Sequence, residues 1–150
     1  MHAAADIPLS WNRAIAYGDG VFETILVLDG AAPLWNFHRA RLQQSIQRLN
    51  IHCDISELEK SFLSLAAQHP NALIKIIVAR SGGTRGYSAL QSDNCAVQLK
   101  THPLPHYASA KMTEGVRLHV CRQRLSHNAA LARCVRPCIP RYRVVGTGNQ

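Results

Sequence analysis

Ala16-Tyr17-Gly18-Asp19-Gly20-Val21-Phe22-Glu23-Thr24-Ile25 runs from a glycine-flanked turn straight into an apolar strand. Gly18 and Gly20 permit positive φ on either side of Asp19, so the backbone can turn sharply there. Val21 to Leu28 is rich in β-branched and aromatic residues and reads as a strand. Asp29-Gly30 stops it with a strong hairpin signal, which predicts a short return strand over Ala31 to Leu34. Side chains alternate along a strand, so Phe22 and Thr24 share one face. Glu23 points the other way, toward a helix or solvent.

Downstream, Asn36 is a plausible cap for a helix carrying Phe37, Arg41, Leu42, Ser45, Ile46 and Leu49 at three- and four-residue spacing. That helix should end near Asn50. Ser56-Glu57-Leu58-Glu59 reads as a capping box opening a second helix, with Leu58, Phe62, Leu65 and Ala66 inward and Pro70-Asn71 closing it. Leu73 to Ala79 holds a single charge, Lys75, which suits the middle of a sheet. Ser81 to Gly86 is a glycine-rich loop. Cys95 to Lys100 alternates, with Cys95, Val97 and Leu99 on one face. His102 to Pro105 is an extended connector, and Val116 to Cys121 a last strand candidate. A strand pair, two helices and then further strands predict an α+β arrangement rather than repeated βαβ units.

A chain of 150 residues with 47% apolar content is one domain's worth of sequence, with enough apolar residues for a real core. No apolar run approaches the roughly 20 residues that cross a bilayer, and the N-terminus shows no secretory signal, so a cytoplasmic location is expected. Net charge is +8, from 17 basic and 9 acidic residues. Four of the arginines (Arg133, Arg136, Arg141, Arg143) stand in the last 18 residues, which hold no acid; without them 13 basic residues face 9 acidic ones, a charge of +4. The remaining arginines are scattered, without the aromatic-and-basic interleaving that stacks bases, so nucleic acid is not an expected partner. Cys53, Cys95, Cys121, Cys134 and Cys138 form no Cys-x-x-Cys pair and no metal-ligand spacing, so reduced, unpaired thiols and no metal are expected.

Several segments carry a family resemblance. Tyr17 to Thr24 follows Arg13; His38-x-x-Arg41-Leu42-x-x-Ser45 comes next. Then follow Ser81-Gly82-Gly83, Arg85-Gly86-Tyr87, and Leu125-Ser126-His127-Asn128-Ala129-Ala130-Leu131-Ala132. Together, from about Ile7 to Ala132, they resemble the class IV aminotransferase family, the pyridoxal-phosphate enzymes of fold type IV. The usual Ser-Asp-Arg ahead of the glycine turn is replaced by Ser10-Trp11-Asn12-Arg13. The resemblance implies the small N-terminal α+β domain of that fold (D-amino-acid aminotransferase-like) over residues 1–110, a connector and first strand over 111–132, and a large domain essentially missing.

It also implies pyridoxal 5'-phosphate as cofactor, with Arg41 on the phosphate, which suits a permanently charged guanidinium fork. Tyr17, Phe22 and Thr24 would line the substrate pocket. Arg85 and Tyr87, in a glycine-rich loop, would meet a substrate carboxylate. The Arg-Gly-Tyr loop is most similar to the branch that converts 4-amino-4-deoxychorismate to 4-aminobenzoate and pyruvate in folate biosynthesis, a homodimeric, small-molecule lyase. Rival readings are a D-amino-acid or branched-chain aminotransferase of the same family and, from another class, a small basic polyanion-binding protein.

Such an enzyme tethers its cofactor as a Schiff base to a lysine. Family members place that lysine shortly after a Leu-x-x-Asn-Pro-x-Leu-Ala lead-in, as Gly-x-Lys; this chain has Ala129 at the proline position. Here Arg133-Cys134-Val135-Arg136-Pro137-Cys138 follows Ala132, and the chain's lysines are Lys60, Lys75, Lys100 and Lys111. Residues 133–150 read as a divergent, out-of-frame tail, because shifting the frame across Cys134 to Cys138 restores a lysine. The expectation is an inactive chain.

Overall fold

Two long helices and three strands account for most of the residues that the structure, a computed structural model, describes: 13–81, 95–106 and 115. In chain order these are α1 (Arg13–Tyr17), β1 (Gly20–Val27), α2 (Trp35–Arg48), α3 (Ile55–Gln68), β2 (Ala72–Arg80) and β3 (Cys95–His102). The strands form one antiparallel sheet in the order β1-β2-β3, with Val21 opposite Val78 and Val78 opposite Val97. The α+β expectation holds, and β2, the run with one lysine, is the central strand.

Alternation gives the sheet two different faces. Val21, Ile25 and Val27 of β1 and Ile74, Ile76 and Val78 of β2 are buried, with Val97 and Leu99 of β3 packed against them. Helices α2 and α3 close this inner face with Trp35, Leu42, Ile46, Leu58, Phe62 and Ala66. The Trp35 and Phe62 rings stack with centroids 4.2 Å apart, which joins the two helices at the centre of the core. Glu59 straps them on the outside, accepting from Trp35 Nε1 at 2.6 Å and Arg39 Nε at 2.9 Å. The outer face presents Phe22, Thr24, Leu26, Leu73, Lys75, Ile77, Gln98 and Lys100.

The termini of the elements depart from the sequence reading in three places. The return strand after Asp29-Gly30 is one isolated bridge, Leu28 to Ala31. Asp29 and Gly30 do take the left-handed turn (φ 50 and 76), but Pro33 cannot donate to a ladder. Helix α2 starts at Trp35 rather than after an Asn36 cap; its N-cap, Leu34, makes no side-chain bond. The burial of Trp35 on Phe62 recruits that residue into the helix. In α3 the cap is Asp54, whose Oδ1 accepts from the amides of Ser56 (2.8 Å) and Glu57 (3.2 Å), in place of the expected Ser56 box. Phe37, the first residue in the helical spacing of α2, is 75% exposed.

Helix α2 ends at Arg48, near Asn50 as expected, and Asn50 stands just past its Leu49 cap in the left-handed conformation. Its φ of 50 allows Ile51 N to reach Ile46 O at 3.0 Å, the double-bonded helix stop. Helix α1 was not foreseen. The predicted strand over Val116 to Cys121 lies outside the described residues.

Candidate functional site

The glycine-flanked turn is locked from three directions. Asp19 accepts from Arg13 Nε at 2.8 Å and from Arg80 Nε at 3.1 Å, and its backbone pairs with both residues as well. Burial pushes the Asp19 carboxyl up, but the hydrogen bonds from Arg13 and Arg80 outweigh it and hold the group below its ordinary value. Arg80 reaches further, donating to Asn50 O at 2.7 Å and Leu49 O at 2.5 Å. One guanidinium thus joins the end of β2, the turn before β1 and the last carbonyls of α2.

The two glycines serve different purposes. Gly18 has φ 62, as the turn requires, whereas Gly20 has no positive φ and is needed for close approach. A Cβ there would meet Val78 O at 2.6 Å and Ala14 Cβ at 3.3 Å. Gly20 belongs to the outer-face set of β1, so Ala14 of α1 approaches the sheet from that face. The Tyr17 ring lies under the Arg13 guanidinium, 4.9 Å from its centroid.

On the inner face, Glu23 is 2% exposed among aliphatic residues and faces α2. Arg41 grips it with two bonds, Nε to Oε1 at 2.6 Å and Nη2 to Oε2 at 2.5 Å. His38 Nδ1 lies 2.8 Å from Oε2, and because a carboxylate only accepts, Nδ1 carries the proton. His38 and Arg41 stand one turn apart on α2, so both reach the same carboxylate. Hydrogen bonding to Glu23 raises the Arg41 pKa further above its ordinary value. The Arg41 side chain is 44% exposed, so the edge of its guanidinium that faces away from Glu23 meets solvent.

On the outer face, Phe22, Ile77 and Gln98 form one cross-strand row, and Thr24, Lys75 and Lys100 the next. Lys75 Nζ sits over the Phe22 ring at 4.9 Å. The Gln98 amide nitrogen is buried without a hydrogen-bond partner. Among the described residues this face holds two lysines directly opposite each other and no carboxylate.

Residues 20–146 match the family model for amino-transferase class IV. The chain belongs to the class IV aminotransferase family. It is 32% identical over 127 residues to the aminodeoxychorismate lyase of Vibrio harveyi, covering 84% of this chain and 46% of that protein. Its structure resembles the 4-amino-4-deoxychorismate lyase of Pseudomonas aeruginosa with a TM-score of 0.77 and 35% identity, covering 87% of this chain and 48% of the other. A hypothetical aminotransferase from Mycobacterium tuberculosis, in its pyridoxal-phosphate-bound form, follows with a TM-score of 0.53 at 25% identity over 67% and 36% of the two chains. The chain spans about half the length of the lyases it matches.

In this class IV aminotransferase chain the sequence-predicted residues divide between the faces. Phe22 and Thr24 lie on one side of the sheet and Arg41 on the other, while Tyr17 ends α1 with its ring against Arg13. Arg85 and Tyr87 lie outside the described residues. Sequence reasoning missed three members of the arrangement. Glu23 was read only as pointing away from Phe22, Lys75 only as a lone charge in a buried strand, and Lys100 only as an alternating polar position. The signal for the last two was the parity of two strands taken together, which requires the register. No helix among the described residues is long and apolar enough to cross a membrane, and no group of metal-ligating side chains occurs among them.

Proposed function

We propose that this chain is the small-domain half of a pyridoxal-phosphate-dependent aminodeoxychorismate lyase, and that it does not turn over substrate by itself. The observation that carries this reading is the lysine pair on the outer face, in register with Thr24 and beside Phe22, where no described residue of the three strands contributes a carboxylate. A substrate bearing two carboxylates is complementary to such a surface. The likeness to lyases of two bacteria supports the same choice over a D-amino-acid or branched-chain aminotransferase.

Among the described residues β1 pairs with a strand on one side only, so neighbouring residues on it flank its other edge from both faces. A ligand lying along that edge would meet the exposed side of Arg41 from one face and Thr24 and Phe22 from the other. The cofactor's phosphate fits Arg41, whose remaining N–H groups point away from Glu23. Glu23 and the protonated Nδ1 of His38 hold that guanidinium in place, so little ordering remains to be done on binding. Lys75 and Lys100, with Arg85 and Tyr87, would receive the substrate carboxylates, and Tyr17 would add to the pocket wall. When bound, the cofactor supplies an electron sink for the carbon that loses a proton. We assign no described lysine as its tether. Lys60 lies on α3 beside Glu57, and Lys75 and Lys100 belong to the substrate face.

The chain mixed with cofactor and 4-amino-4-deoxychorismate is expected to yield no 4-aminobenzoate. Restoring the reading frame near codon 133, so that a lysine follows Ala132 and a large domain continues, is expected to yield it. A restored enzyme that instead moves amino groups from D-alanine or leucine to 2-oxoglutarate, and ignores aminodeoxychorismate, would overturn the lyase reading. Stop codons soon after codon 132 in both other frames would overturn the frame change.

A further inference from the structure

The outer face of the sheet changes character row by row. Gly20, Ala79 and Ala96 form the first row, which Ala14 of α1 approaches. Phe22, Ile77 and Gln98 form the second, Thr24, Lys75 and Lys100 the third, and Leu26, Leu73 and His102 the fourth. Ala79 in the first row is buried, whereas Thr24, Leu26 and His102 in the last two are exposed. Gln98 therefore stands between the covered end and the lysine pair, the one polar side chain of its row. Lys75 Nζ, 4.9 Å from the centroid of the Phe22 ring, ties the second row to the third. Among the described residues, Gln98 Nε2 is the one buried side-chain nitrogen or oxygen with no hydrogen-bond partner. An amide N–H kept from water without an acceptor destabilises the fold, and Phe22 and Ile77 beside it have no side-chain acceptor to offer.

We propose that Gln98 Nε2 donates a hydrogen bond to the second carboxylate of a cyclic dicarboxylate whose first carboxylate sits between Lys75 and Lys100, and so selects ligands with two carboxylates over ligands with one. The inference rests on the outer face being the substrate face. Successive rows on one face lie about 7 Å apart, twice the rise of a strand residue, a span that a ring with two meta carboxylates covers. The first carboxylate relieves the repulsion between the opposed lysines, and the ring lies over Phe22 and Ile77. An amide suits the far end, because it supplies a donor without adding a third positive charge where water is excluded. Discrimination comes from the orphan itself: a ligand with one carboxylate leaves Nε2 unpaired, and the second carboxylate satisfies it.

The test is titration of the full, nitrogen-15-labelled chain at neutral pH with isophthalate, a ring with two meta carboxylates, and with benzoate, which has one. Gln98→Met keeps the side-chain length, removes the donor and identifies the Gln98 amide signals by their loss. Isophthalate is expected to shift those signals and to bind the wild type about three- to tenfold more tightly than Gln98→Met, the worth of one hydrogen bond. Benzoate is expected to bind both chains alike. The variant is expected to unfold at the same urea concentration as the wild type or a higher one, because it buries no unpaired amide. Equal isophthalate affinity for the two chains, isophthalate no tighter than benzoate on the wild type, or a Gln98→Met chain that unfolds at lower urea would overturn the proposal. Lys75→Gln separates the two levels: if it loses isophthalate and Gln98→Met does not, only the role of Gln98 falls. If neither variant weakens binding, the outer face is not the substrate face.

Discussion

The two faces of the sheet are made by the same three strands and treat charge in opposite ways. On the inner face each charge is matched: Glu23 by Arg41 and His38, Arg80 by Asp19 and two helix carbonyls. On the outer face Lys75 and Lys100 stand opposite one another, and no described carboxylate shares that side. Burial explains the first pattern, since an unmatched charge among aliphatic side chains costs several kcal/mol. Stability does not explain the second, because like charges directly opposite on a sheet repel. The inner face is organised for folding, and the outer face keeps a repulsion that a bound anion would relieve.

The largest expected effect is on the inner face. Phe62 is fully buried against Trp35, so Phe62→Ala should lower stability by about 3–5 kcal/mol, read from the urea midpoint. Next comes a deliberate asymmetry. Arg41→Ala strands the buried Glu23 carboxylate and should cost about 3 kcal/mol, whereas Glu23→Ala leaves a half-exposed guanidinium that water can serve and should cost less. If the two variants unfold at the same urea concentration, Glu23 does not depend on Arg41. Gly20→Ala should cost about 1–3 kcal/mol, because its Cβ would press on Val78 O.

Acid titration sharpens the contrast further. The folded-state pKa of Asp19 lies below its ordinary value of 3.8, so its pairing stabilises the fold above that value. The contribution fades as pH falls below 3.8 through the folded pKa. Thermal midpoints of Asp19→Asn against wild type should differ at pH 6 and converge in strong acid; a constant gap would break the assignment. The smallest stability change is expected on the outer face. Lys75→Gln should be neutral or stabilising by about 0.2–1 kcal/mol, while weakening binding of 4-amino-4-deoxychorismate to the restored enzyme. A destabilised Lys75→Gln would mean that the outer face, too, is arranged for folding.

Local pattern carried most of the fold. Strand alternation in β1 and β3, the single charge in β2 and the helical spacing from Phe37 to Leu49 all correspond to observed elements, since each depends on neighbours a few residues away. What escaped was set by distance in sequence. Arg80 reaches back 61 residues to Asp19, and the stacking of Trp35 on Phe62 decides where α2 begins. The Asp54 cap lost to Ser56 in the reading because both residue types cap, and only the geometry chooses between them. Of the candidate site, the resemblance pointed to residues on both sides of β1. The lysine pair became visible only when the strands were set in register.

The pairing of β1 with β2 also has an order in time. These neighbours are not a hairpin: residues 28–71, including both long helices, must be synthesised between them. At ribosomal rates of about 5–20 residues per second, β1 waits on the order of seconds for its partner. Throughout that interval Phe22, Ile25 and Leu26 have no strand beside them, while α2 and α3 can already form on their own local signals. Arg80, at the far end of β2, is the last residue of this strand pair to be made and closes the turn that begins the sheet. A nascent chain of this protein therefore needs shelter for its first strand before its last clamp exists.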